Sequence, residues 1–102
     1  MTEIVRSLAV PAGHPALPGH FPGQPIVPGV VLLAEVAEAA RESLAFDAQE
    51  QQWRRVKFLA PVLPDQRLDI HLSGDADGFS FRILSTSQQL IARGQCRHAK
   101  VA

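Results

Sequence analysis

The sequence predicts an α+β fold, an antiparallel sheet of about five strands wrapped around one central helix. Three observations carry this. The stretch from Val30 to Ala45 is apolar over most of a helix circumference, as a helix gripped on most sides must be. The segments after it alternate apolar and polar residues with the period of two that a half-buried strand needs. Turn clusters separate those segments at short intervals, so successive strands reverse direction.

Glu3 to Val10 reads as the first strand. Pro11 to Gly29 then holds six prolines and four glycines. Proline fixes φ and removes an N–H donor, and no regular element survives that density. The segment is a long, stiff loop, and loops longer than about 12–15 residues in compact domains are usually functional or disordered. Leu17, Phe21, Ile26 and Val27 argue that this one is docked. The helix starts at Pro28 or Gly29 and ends near Ala45. Arg41, Ala34, Glu38, Glu42 and Glu35 fall within one arc of roughly 120°, at about 100° per residue. They form a single polar stripe on an otherwise apolar helix. Trp53 to Leu59 is the next strand, and Pro61 to Asp65 breaks it. In Arg67 to Ser73, Leu68, Ile70 and Leu72 share one face, with Arg67, Asp69 and His71 on the other. Gly74 to Gly78 is a turn cluster. Phe79, Phe81 and Ile83 alternate, Gln88-Gln89 marks a turn, and Leu90 to His98 is the last strand.

The 102 residues read as one domain, 1–102, with no internal repeat or linker. Hydrophobic residues make up 46% of the chain, enough to fold rather than stay disordered. Net charge is zero with neutral histidines, so no basic excess points to nucleic acid, and little repulsion opposes self-association. Cys96 is the lone cysteine and cannot form an internal disulfide. No targeting pattern opens the chain, and the helix is too short and too charged after Ala34 to span a bilayer. A cytoplasmic protein with no membrane insertion is expected. No His/Cys set has metal-ligand spacing, so no metal is expected, and no Walker or Rossmann glycine loop is present.

The chemistry concentrates in His20-Phe21-Pro22-Gly23-Gln24-Pro25-Ile26-Val27-Pro28-Gly29 and the helix behind it. Histidine is the side chain best suited to proton transfer near neutral pH, and here it precedes a helix N-terminus. This run resembles the motif of the hotdog-fold 3-hydroxyacyl-acyl carrier protein dehydratases (FabZ/FabA type), His-Phe-Pro-Gly-x-Pro-x-x-Pro-Gly. Val56 to Leu68 also looks like that family's Lys-Phe-x-x-Pro-Val-x-Pro-Gly-Asp-x-Leu stretch. The resemblance covers roughly residues 3–98, and the length is similar to short stand-alone members that accompany polyene and polyketide-like lipid synthesis.

The resemblance implies a hotdog fold and dehydration of 3-hydroxyacyl thioesters held on the phosphopantetheine of an acyl carrier protein, with no other cofactor. His20 would be the base that removes the C2 proton. Backbone N–H groups around Gly29 and Val30, at the positive end of the helix dipole, would hold the thioester oxygen. Phe21, Gly23, Val31, Leu33 and Ala34 would line the acyl site. The family's acid lies fourteen positions after its histidine, and here that position is Ala34. Alanine transfers no proton. Glu38, one turn on and about 40° away, is the preferred replacement, reaching in from about 6 Å along the axis. Glu35, rotated about 100°, is the other candidate. Both also read as part of a solvated stripe with Glu42.

The family pairs two protomers into one continuous sheet and shares each site between them. The resemblance therefore implies a homodimer, or a heterodimer with a hotdog paralogue that supplies the acid. An acyl thioesterase on the same fold and a non-catalytic acyl-binding module are the alternatives. Arg54, Arg55, Lys57 and Arg97 belong to a basic cluster that would steer an acidic carrier protein, or simply form a charged outer face.

Overall fold

The computed structural model describes residues 2–14, 26–47 and 49–99. Its elements are β1 (Thr2–Leu8), α1 (Gly29–Leu44), β2 (Gln51–Phe58), β3 (Leu68–Asp75), β4 (Gly78–Ser85) and β5 (Leu90–His98). The five strands form one sheet in the order β1-β3-β4-β5-β2. Every neighbouring pair is antiparallel. This is the expected arrangement of one helix against an antiparallel sheet.

Period-two patterning puts Leu68, Ile70 and Leu72 of β3 and Phe79, Phe81 and Ile83 of β4 on the helix side, where all are buried. They meet Val31, Leu32, Val36, Ala40 and Leu44 of α1 in one core, joined by Val10, Val27, Phe46 and Val62 from the connections. Burying a side chain of this size contributes roughly 1.5–3 kcal/mol. Gly94 of β5 makes room for the sheet's aromatics, because a Cβ there would lie 2.9 Å from both the Phe81 ring and Val56. Trp53 then stands edge-on to Phe81, with ring centroids 5.9 Å apart.

Three strands differ in their limits from the sequence expectation. β1 ends at Leu8 rather than Val10, because the Val10 carbonyl turns to accept the Asp65 N–H at 2.7 Å. β3 runs on to Asp75, so the β3–β4 turn is tighter than the Gly74–Gly78 cluster suggested. Gly74 sits inside the strand at φ 153°, and a Cβ there would come within 2.3 Å of the Gly78 carbonyl oxygen. β2 starts at Gln51, not Trp53, and carries a β-bulge between Arg54 and Lys57, with Arg55 at φ 55°.

The helix ends as expected. Ala45 takes the left-handed conformation at φ 56°, and the Phe46 N–H reaches back to the Ala40 carbonyl at 3.3 Å. This left-handed close delivers Phe46 into the core against Phe79.

Candidate active site

His20, Phe21 and Gly23 lie outside the described residues. The described part of the motif begins at Ile26. The buried Val27 donates its N–H to the Val62 carbonyl at 2.8 Å, tying the end of the loop to the segment after β2. Pro28 is extended (φ −61°, ψ 146°), and its carbonyl accepts the Val31 and Leu32 N–H groups. Among the described residues the Gly29 and Val30 N–H groups therefore have no acceptor. Among the described residues no side chain caps this end, and no acidic residue lies in the first turn. Two amides at the positive end of a helix dipole are left to bind an oxyanion.

Phe58 flanks those amides. A Cβ on Gly29 would lie 2.8 Å from the Phe58 ring, so glycine lets the ring cover the helix start. Val30 is 74% exposed, and Phe58, Leu59, Leu63 and Ile26 are exposed apolar residues as well. Val31 instead points into the core, so of the residues expected to line the acyl site it serves the fold first. The sequence reading missed Phe58, although its place next to Lys57 in the second motif stretch was the available signal.

Ala34 is exposed, one turn beyond Val30. It lines a groove of about 270 Å³ with Ala37, Glu38, Arg41, Phe46 and Gln51, on the β2 side of the helix. Glu35 does not share that groove. It lines a smaller one, about 70 Å³, between the helix and β1, with Arg6, Leu8 and Ile70. Glu38 borders both, but it is engaged. Arg41 Nε donates to Glu38 Oε2 at 3.1 Å, and the same guanidinium makes a second contact through its terminal nitrogen. The Arg41 hydrogen bond holds the Glu38 carboxyl below the usual carboxylate range. In this arrangement Glu38 is an anion at neutral pH, the form that cannot donate a proton.

Arg54, Arg55, Lys57 and Arg97 are brought together along β2 and β5. Arg54 pairs with Gln95, Lys57 with Arg93, and Gln52 with Arg97. These positions face away from the helix, so the cluster lies on the outer sheet face rather than around the helix N-terminus. Arg97 Nε donates to Gln52 Oε1 at 2.9 Å. Two other histidines make ordinary polar contacts on the sheet. His71 Nδ1 lies 3.1 Å from Glu3 Oε1, and His98 Nε2 lies 3.0 Å from the Ala76 carbonyl. Cys96 is buried, and burial pushes its thiol up to about 11, so it is an inert core residue.

Comparison with known proteins points to one family. The family model described as "ApeI-like: ApeI dehydratase" matches residues 1–95. The chain is 33% identical to the 3-hydroxyacyl-[acyl-carrier-protein] dehydratase FabZ of Geobacter metallireducens, across 91% of this chain and 67% of that protein. Among solved structures it is similar to the dehydratase heterocomplex ApeI:P from Xenorhabdus doucetiae. The TM-score is 0.79 at 27% identity, covering 93% of this chain and 85% of that one. Slr0204, a 1,4-dihydroxy-2-naphthoyl-CoA thioesterase from Synechocystis, shares the fold alone, with a TM-score of 0.60 at 20% identity over 96% of this chain and 81% of that one.

Proposed function

The chain belongs to the ApeI-like dehydratase family of hotdog-fold proteins, and on that footing we propose that it takes part in dehydrating 3-hydroxyacyl thioesters as one subunit of a hotdog pair. The substrate is held on the phosphopantetheine of an acyl carrier protein, in fatty-acid or polyene-type lipid synthesis, and the location is cytoplasmic. His20 takes the C2 proton. The Gly29 and Val30 amides hold the thioester oxygen as it gains negative charge. The C3 hydroxyl leaves with a proton from an acid, so water departs and a C2=C3 double bond forms. Outer-face cations, Arg97 among them, offer a surface to the acidic carrier.

The observation that carries the subunit reading is Ala34. It sits exposed on the helix stripe where the family keeps its acid. The nearest carboxylate on that stripe, Glu38, is held deprotonated by Arg41, and Glu35 lines the other groove. The acid therefore comes from the partner chain. Likeness to a dehydratase heterocomplex supports the same view.

The test uses purified chain and 3-hydroxyacyl-carrier protein, with enoyl product followed by mass spectrometry. The wild-type chain alone is expected to form no enoyl product. Ala34→Glu restores the acid in this chain and should gain turnover at protein concentrations high enough to pair. Robust turnover by the wild type alone would sink the subunit reading and return the acid to Glu38 or Glu35. Release of free thiol without an enoyl product would identify a thioesterase instead.

A further inference from the structure

Among the described residues the sheet ends in two edges, β1 and β2, and β2 is the one prepared for another chain. Its helix-side residues Trp53 and Val56 are only half-buried, and Phe58 is 47% exposed. Leu59, next in the chain, and Leu63 and Val30 are exposed apolar residues too. A strand edge with an apolar flank is a ready template for a further strand.

The charge on that edge is one-sided. Gln51–Phe58 contains Arg54, Arg55 and Lys57 and no aspartate or glutamate. The bulge concentrates them. Arg54 pairs with Gln95 and Lys57 with Arg93, which leaves Arg55 as the extra residue, held in the left-handed region at φ 55°. That conformation is unfavourable for a non-glycine residue. Its result is a third cation in the outer-face groove that Arg82 and Arg93 also line. Lys57 stands directly opposite Arg93, and Arg93 directly opposite Arg82, so three neighbouring strands carry like charges in register. Arg82 is relieved by Glu3 at 3.5 Å. Among the described residues, Arg54, Arg55, Lys57 and Arg93 are in no ion pair.

A second copy joining here about a two-fold axis would lay the strand antiparallel against itself. Three cations from each strand would then meet, against only the Glu50 that precedes each strand. Like charges facing across strands are destabilising, and opposite charges are favourable by a similar amount. We infer that β2 is a charge-selective edge: it disfavours a second copy of this chain and takes a chain of the same fold whose facing edge strand carries aspartate or glutamate. What the pairing is for rests on the proposed dehydratase reading, since Ala34 and Gln51 line one groove and a partner on β2 covers that side of the helix. The charge argument itself does not depend on the reaction.

A charge-reversed copy of this chain serves as the probe partner. Sedimentation velocity would compare wild type, the double variant Arg54→Glu/Lys57→Glu, and their equimolar mixture, with circular dichroism melts confirming that each is folded. The mixture should form a one-to-one pair about tenfold tighter than wild type with itself at low salt, and the gap should narrow near ~0.5 M salt. Should the reversed variant not fold, the neutral pair Arg54→Gln/Lys57→Gln should self-associate more tightly than wild type. The inference is overturned if wild type pairs with itself as tightly as the mixture, if the difference ignores salt, or if the mixture does not associate. Turnover is not read here, so a tight but inactive mixed pair would count against the proposed reaction and not against the edge.

Discussion

β1 and β2 are both edge strands, and each must deal with a row of unpaired backbone groups. They do so in opposite ways. β1 is finished by its own chain. Arg6 donates to the Ser43 hydroxyl at 2.7 Å and reaches Glu42 at 3.4 Å, clipping the strand to the helix. On the outer face Glu3 meets His71 and Arg82, and the Ser7 hydroxyl donates to Asp69. Charges of both signs are satisfied there. β2 carries one sign of charge, a bulge and an apolar margin. One edge is closed by intramolecular contacts, while the other is the edge proposed to take a partner and lies beside the helix N-terminus where the chemistry is proposed. Substitutions on the β1 side should therefore show in stability, and those on the β2 side in turnover and pairing.

The largest effect should come from the motif histidine. In the Ala34→Glu background, His20→Ala should lower turnover by about two to four orders of magnitude, the usual worth of a general base. The melting temperature should stay within a few degrees. Retained turnover would break the assignment of the chemistry to this side.

Next comes the apolar margin. Phe58→Ser should weaken the pair formed by wild type and the charge-reversed variant by roughly tenfold or more, as loss of a buried aromatic anchor does. Val5→Ser, an equally exposed apolar position on β1, should leave that pair unchanged in the same sedimentation assay. Equal losses at both edges would erase the distinction between them.

The sequence carried most of the fold because local pattern and global fold agree. β5 is found at Leu90–His98 as its alternation predicts, and the helix keeps its limits because Pro28 starts it and Ala45 closes it. The bulge was legible only in part. Two polar residues, Arg54 and Arg55, stand between inward Trp53 and Val56, which breaks the period of two, but one skipped beat does not say which residue is extra. Backbone geometry decides that, and it places Arg55 at positive φ. The site divides in the same way. That the Gly29 and Val30 amides have no acceptor among the described residues follows from helix geometry alone. The fates of Glu35 and Glu38 depended on which groove each side chain enters and on a neighbour one turn away, which periodicity does not resolve. Phe58 was missed because its contact with Gly29 joins residues distant in the chain.

A smaller effect is expected on the finished edge. Arg6→Ala should lower unfolding stability by about 0.5–1.5 kcal/mol, the range for an exposed ion pair and a typical net side-chain hydrogen bond. Pairing should not change. Urea denaturation reads the first and sedimentation the second. A change in pairing would mean that β1 also meets a partner.

The smallest effect on turnover is expected at Glu38, and it sharpens the comparison most finely because Glu38 borders both grooves. Its carboxyl sits below the ordinary range chiefly because Arg41 hydrogen-bonds the charged form. Arg41→Ala removes that cause, so the titration midpoint of Glu38, followed by side-chain carbon NMR, should rise toward the ordinary carboxylate value. The sign for stability follows. A depressed folded-state value stabilises above the unfolded value and is lost as pH falls through the folded one, so the variant should lose this acid-side dependence. Both groups are exposed, and salt should flatten the difference. Turnover gives the decisive reading. If the acid comes from position 34 of the paired chain, Glu38→Gln in the Ala34→Glu background should leave the rate unchanged. A fall of about two to four orders of magnitude would make Glu38 the acid in spite of Arg41, and the β2 edge would then be a means of assembly with no part in supplying the missing proton.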